Sequence, residues 1–267
     1  MSAAGSGLLT THIDGPVIRW TLNRPDKRNA LNRGMLNEFL AAIRAAAVQP
    51  GLRLAVLSAA GSVFCAGMDL DEMRATAADP HPDELWRQDA QLFRDVLGAL
   101  LDLPVPVLAL VSGPVVAGGL GLLLACDLVI AEERSTFWLP EPRRGITAAI
   151  VTPLLVFRIG AGLASYLLLS GRQVDTMTAQ RIGLCHEVAA GLDYGDFRRV
   201  LTMSILSGAP TALAQAKRQI RGCAGTDLQA QLDAAVIESA RARGTADAQE
   251  GLAAFLEKRP PKWQNLS

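Results

Sequence analysis

Residues Leu103–Glu141 read LPVPVLALVSGPVVAGGLGLLLACDLVIAEERSTFWLPE, apolar runs punctuated by glycine and proline. Val105–Val111 is an apolar, β-branched run that predicts a buried strand, and Ser112-Gly113-Pro114 breaks it. A glycine-opened apolar segment after Pro114 predicts a helix, and Asp127–Ala131 predicts a second strand. The stretch closes on Pro140-Glu141, a carboxylate in the most apolar neighbourhood of the chain. It has the makings of half an active site, with backbone N–H groups at a helix start and an acid facing them.

The same grammar extends upstream. Leu8–Ile13 and Val17–Leu22 flank Asp14-Gly15, a pair that favours a tight hairpin. Asn23–Asn29 is polar, and Asn32 is placed to cap a helix with Met35, Leu36, Phe39, Leu40 and Ile43 on its apolar face. Leu52–Ser58 predicts a buried strand running into Gly61–Leu70, and Thr76–Asp83 a proline-broken loop near an entrance. Leu85 to Leu101 repeats apolar residues at helical spacing. Strand, turn and helix thus alternate through residues 52–135, which predicts an α/β fold with much parallel pairing. Beyond Glu141 the segments near 148–158, 161–169, 195–207, 210–221, 227–243 and 245–257 predict helices. Their apolar faces need a partner surface, so self-association is expected.

Composition excludes several classes. At 267 residues the chain can bury a large core, and 50% hydrophobic against 19% charged residues argues against disorder. Lys+Arg and Asp+Glu are both 26, so no global field draws nucleic acid. Leu103–Cys126 has no charge, yet seven of its residues are Gly or Pro, which fits strand, turn and buried helix better than a membrane span. The first residues lack the pattern of a secretory signal. Cys65, Cys126, Cys185 and Cys223 are scattered, which reads as reduced thiols in a cytoplasmic protein. His12, His81 and His186 share no ligand spacing, so no metal site is expected. Gly119-Leu120-Gly121 and Gly160-Ala161-Gly162 both fail as dinucleotide fingerprints, and neither a phosphate loop nor a nucleophile elbow occurs.

Three pieces remain: Phe64-Cys65-Ala66-Gly67-Met68-Asp69-Leu70, Gly113–Gly121 and Pro140-Glu141. Each alone is more often a turn, a packing site or a solvated cap. In this order they resemble the crotonase (enoyl-CoA hydratase/isomerase) superfamily. So do Leu22–Asn32, Ser170-Gly171-Arg172, Gly183-Leu184, Pro210…Lys217 and Asp247…Arg259. The resemblance implies a spiral of strand-strand-helix units over residues 1–195 and a C-terminal helical oligomerisation region over 196–267, as a homotrimer or dimer of trimers. It implies an acyl-coenzyme A thioester substrate, with coenzyme A as part of the substrate and no separate cofactor. By motif position, the N–H groups of Met68 and Gly118 would hold a thioester enolate, with Glu141 as acid and base. Such rigid donors suit the task, since losing one typically costs about 3–4 kcal/mol of transition-state stabilisation. Ala66, Gly67, Asp69 and Leu70 would wall the coenzyme side, Lys27 and Arg28 would meet its phosphates or pantetheine arm, and Lys258 the phosphates of a neighbouring subunit. Gly118 is expected to allow close backbone approach.

The chain departs from the hydratase pattern in one place. Hydratases of that family orient a water between two glutamates, and the first would fall on Gly121. A double-bond isomerisation needs one base, which favours a 3-enoyl to 2-enoyl isomerase. Ala149 stands where a dienoyl isomerase would want a further acid. A hydratase, and a binder in which Arg143 or Arg144 neutralises Glu141, remain alternatives. Pocket depth is expected to depend on Trp86, Phe93 and Trp138.

Overall fold

A computed structural model describes residues 7–189, 193–223 and 228–264. It opens with the hairpin β1 (Leu9–Asp14) and β2 (Val17–Leu22), turned at Gly15-Pro16. Helix α1 (Arg33–Ala47) follows, capped by Asn32, whose Oδ1 accepts from the Met35 N–H at 2.9 Å. Its buried face is Met35, Leu36, Phe39, Leu40 and Ile43 with Ala46. Strand β3 (Leu54–Ala59) leads to α2 (Leu70–Ala77) and α3 (Pro82–Asp102). Next come β4 (Val107–Val111), β5 (Pro114–Val116), α4 (Gly118–Leu124), β6 (Leu128–Glu132) and β7 (Thr136–Trp138). A 3-10 turn over Glu141–Arg144 precedes α5 (Val151–Ser170), β8 (Val174–Asp175), α6 (Thr176–Arg181) and β9 (Glu187–Ala189). Helices α7 (Asp193–Ser207), α8 (Pro210–Gly222), α9 (Leu228–Arg243) and α10 (Ala246–Leu256) complete the described order.

The large sheet runs β1-β2-β3-β4-β6-β9, antiparallel at the first pair and parallel thereafter. Both faces of its central strands are buried, which is why Leu54–Leu57 of β3 and all of β4 read as unbroken apolar runs. On one face, Ala55, Leu57, Val107, Ala109 and Val111 join the main core with α1, α3 and α4. On the other, Leu54, Val56, Leu108 and Leu110 lie under Ile205 of α7, with Leu213 of α8 packed alongside. Lys217 of α8 ties this layer down: it is 7% exposed, 2.7 Å from the Asp127 carboxylate, and donates to the Leu100 and Val105 carbonyls.

A second sheet, β5-β7-β8, carries the functional loops on its edge. Cys65 bridges to Val115 and Met68 to Leu31, extending that layer with single pairs. Here the sequence expectation needs correcting. Pro114–Val116 is not the start of the helix but a strand of its own, and the helix begins only at Gly118. Pro114 can open a strand because its missing N–H costs nothing at a first position, while its carbonyl accepts from Phe64 and Cys65. Thr76–Asp83 is also less of a loop than expected. Thr76 is buried in the last turn of α2, and α3 starts at Pro82. The helices expected near 148–158 and 161–169 form one α5, kinked where Gly160 leaves helical geometry at φ 75°. The expected boundary between 195 and 196 falls inside α7.

Candidate active site

The Met68 loop and the Gly118 turn are pressed together. Gly67 has φ +89°, and a Cβ there would stand 2.8 Å from the Ala117 Cβ and 3.1 Å from the Val116 carbonyl. Only glycine fits this junction. Leu31 grips the loop from the other side, donating to the Gly67 carbonyl at 2.8 Å and accepting from Asp69 N–H at 2.9 Å. Asn29, fully buried, spaces the loops: its Oδ1 accepts from Arg24 N–H, and its Nδ2 donates to the Ala60 and Val63 carbonyls, each at 2.8 Å.

Ala117 makes the opposing turn. It has φ 53° and ψ −123°, a conformation that costs an L-residue about 1–3 kcal/mol. Its own N–H is spent on the Trp138 carbonyl at 2.9 Å, so the chain swings off β5 and α4 begins with the Gly118 N–H. Among the described residues neither the Met68 nor the Gly118 N–H meets a protein acceptor. Both residues line one cleft. A Cβ at Gly118 would make only ordinary contacts, at 3.5 Å or more. Of these two glycines, Gly67 makes the tighter contact.

Glu141 lies on the same cleft, 6% exposed, with no hydrogen-bond partner for its buried Oε2. Loss of hydration lifts its pKa from 4.5 to about 7, opposed by its own backbone N–H and by the positive charge of Arg144. The turn that carries it is seated by α10. Gly145, at φ +69°, leaves no room for a side chain against the Asp247 carbonyl, and Gly251 none against that of Arg144. Among the described residues no other carboxylate lines this cleft. The space beside Gly121 is occupied: a Cβ there would stand 2.9 Å from the Phe93 ring and 3.2 Å from Val151.

An outer groove joins the cleft through Ala66, Met68, Leu70 and Arg144. Lys27, Arg28, Asp69 and Trp138 are on its walls, whereas Lys258, exposed at φ 54°, lines neither. Lys27 is paired with Asp71 at 3.2 Å. Asp69 is turned inward, 2.9 Å from Arg24 and capping α2 through its Oδ1. Of the aromatics expected to set depth, Phe93 lines the cleft, Trp86 a lobe beyond it and Trp138 the outer groove. The sequence reading missed Ser239 and Arg243, which α9 brings to the cleft. The signal was present: Leu228, Leu232, Ala235, Val236 and Ser239 form the buried stripe of α9, and Arg243 is one turn further along it.

Comparison with known proteins accords with this geometry. The enoyl-CoA hydratase/isomerase family model matches residues 12–266. The 2,3-dehydroadipyl-CoA hydratase of Escherichia coli is 34% identical over 93% of this chain and 95% of its own. The mitochondrial enoyl-CoA hydratase domain-containing protein 3 of Danio rerio is 31% identical over 99% and 90%. The crystal structure of an enoyl-CoA hydratase from Mycobacterium avium superposes with a TM-score of 0.85 at 32% identity, covering 98% of this chain and all of that one. The chain belongs to the enoyl-CoA hydratase/isomerase family, the crotonase superfamily.

Proposed function

We propose that this enzyme moves the double bond of an enoyl-CoA thioester from the 3 to the 2 position, with Glu141 as its single base and acid. One observation carries the reading. Glu141 is the sole carboxylate on the cleft among the described residues, and the Phe93 ring fills the space beside Gly121 that a second one would need. In this reading Glu141 takes the proton from C2, and charge moves onto the thioester oxygen. The Met68 and Gly118 amides donate to that oxygen, and Glu141 then returns the proton at C4. A carboxylate with a pKa of about 7 suits both halves of the cycle near neutrality. The outer groove takes the coenzyme, with Ala66, Gly67, Asp69 and Leu70 along it and Lys27 and Arg28 at its phosphates. Lys258 serves a neighbouring subunit's coenzyme in a homotrimer or dimer of trimers. The coenzyme A of the substrate is the only cofactor required, and the setting is the cytoplasm.

The test is direct. A 3-enoyl-CoA should yield the conjugated 2-enoyl chromophore, and Glu141→Gln should lose at least about a hundredfold in rate. Full rate in that variant would reject the assignment. A second reading, hydration of a 2-enoyl-CoA, is favoured by the free Oε2 of Glu141, which can hold a water. It requires heavy oxygen from labelled water in a 3-hydroxyacyl product.

A further inference from the structure

Through Leu70, Met73, Arg144, Ile146 and Arg243 the cleft opens into a distal lobe between α2, α3, α9 and α10. Leu70, Met73, Trp86 and Leu252 make it largely apolar, yet two guanidinium groups stand in its wall, Arg144 and Arg243. No carboxylate lines it among the described residues. Each cation lies over an aromatic ring, Arg144 at 4.4 Å from the centroid of Phe255 and Arg243 at 5.5 Å from that of Trp86. The rings fix the planar groups in place but supply only part of what an ion loses on leaving water.

Arg243 has the larger deficit. Its Nη1 is shielded from solvent and hydrogen-bonded to nothing. Asp89 is near enough to favour its charge, but that carboxylate is already gripped by Arg33 through Nε at 2.6 Å and Nη2 at 2.9 Å. Arg144, for its part, has Glu141 as its acidic neighbour and Arg28 as a like charge. An uncharged acyl tail filling the lobe would strip the remaining water from Arg243 and offer nothing in return. An anionic tail would complete a charge-assisted, fork-shaped contact.

We propose that the distal lobe receives a carboxylate at the far end of the acyl chain, with Arg243 as its counter-charge, so that the substrates are thioesters of dicarboxylic acids. This rests on the acyl-thioester reading for the other end of the substrate, and on no particular choice of reaction.

Binding of saturated, unreactive esters tests it without turnover. Succinyl-, glutaryl-, adipyl- and suberyl-CoA are each compared by calorimetry with the unsubstituted acyl-CoA of equal chain length. At least one dicarboxylic ester should bind about tenfold or more tighter than its counterpart. That ratio should fall toward unity in Arg243→Met, be partly kept in Arg243→Lys, and shrink as salt rises, since the coenzyme is common to both ligands. Wild-type protein that never favours the dicarboxylic member overturns the proposal, as does a ratio that survives in Arg243→Met. Binding that follows the expected pattern in a protein that turns over no enoyl ester leaves this proposal standing and removes the catalytic one.

Discussion

Glu141 is placed where burial makes its carboxylate costly as an anion. Raising its pKa from 4.5 to about 7 corresponds to about 3 kcal/mol, converted at about 1.4 kcal/mol per pH unit. The sign follows from which state binds the proton more tightly. Below pH 4.5 the group is neutral folded and unfolded and costs nothing, whereas between 4.5 and about 7 the unfolded chain ionises first and stability falls as pH rises. Glu141→Gln is therefore expected to be inactive yet more stable above pH 7, with the gain vanishing by pH 4.5. Thermal melts of the two proteins across that range check it. Wild-type kcat/KM should rise about tenfold per pH unit up to about 7 and then level off. Arg144→Met removes a charge that holds the Glu141 pKa down, so the acid limb should move to higher pH. At this scale motif order singled out Met68, Gly118 and Glu141, and the fold sets all three on one cleft. The sequence was silent on Arg243, because nothing within α9 says which end of a buried stripe meets a cleft built by α3 and α4.

The decisive relations between elements are backbone contacts. Gly67 against Ala117 joins two loops fifty residues apart in the chain, and Gly67→Ala would force them apart in a conformation alanine rarely adopts. Its expected cost is about 2 kcal/mol or more in chemical denaturation, together with loss of turnover. Phe93 of α3 against Gly121 of α4 leaves no room for a larger side chain at position 121. Gly121→Glu alone should destabilise the fold by overpacking, typically about 1–3 kcal/mol. Paired with Phe93→Ala it gains room for a second carboxylate, and water addition to a 2-enoyl-CoA should become detectable only in the double variant. Periodicity identified α1, α3 and β4 because their burial is regular along the chain. It missed β5 and α2 because three residues paired to a distant strand, and eight capped by Asp69, carry too little pattern of their own.

Across the whole molecule, the C-terminal helices fold back onto the chain that made them. Helix α9 packs along α3, and α10 seats the turn of Glu141, so residues far beyond the sheet help enclose the site. Helix α5 is the counterpart that finds too little cover. It is the one helix among the described residues long and apolar enough to cross a membrane, with mean hydropathy 1.6, yet it is kinked at Gly160. Leu163, Tyr166 and Leu169 on its second half are exposed, Leu169 to 83%. Apolar surface of this kind is what subunits bury, and light scattering is expected to report a mass of three or six chains. Leu169→Glu should lower that mass, and an unchanged assembly would move the contact elsewhere. The spacer at position 29 carries a consequence of another sort. Its side-chain nitrogen holds two carbonyls of the loop after β3, Ala60 and Val63, so a slow hydrolysis that exchanged this nitrogen for oxygen would set a negative charge against both. Ageing of the polypeptide at one amide, with no change in its genetic text, would then unfasten the loops of the site, and the intact tertiary structure is what shields that atom from water.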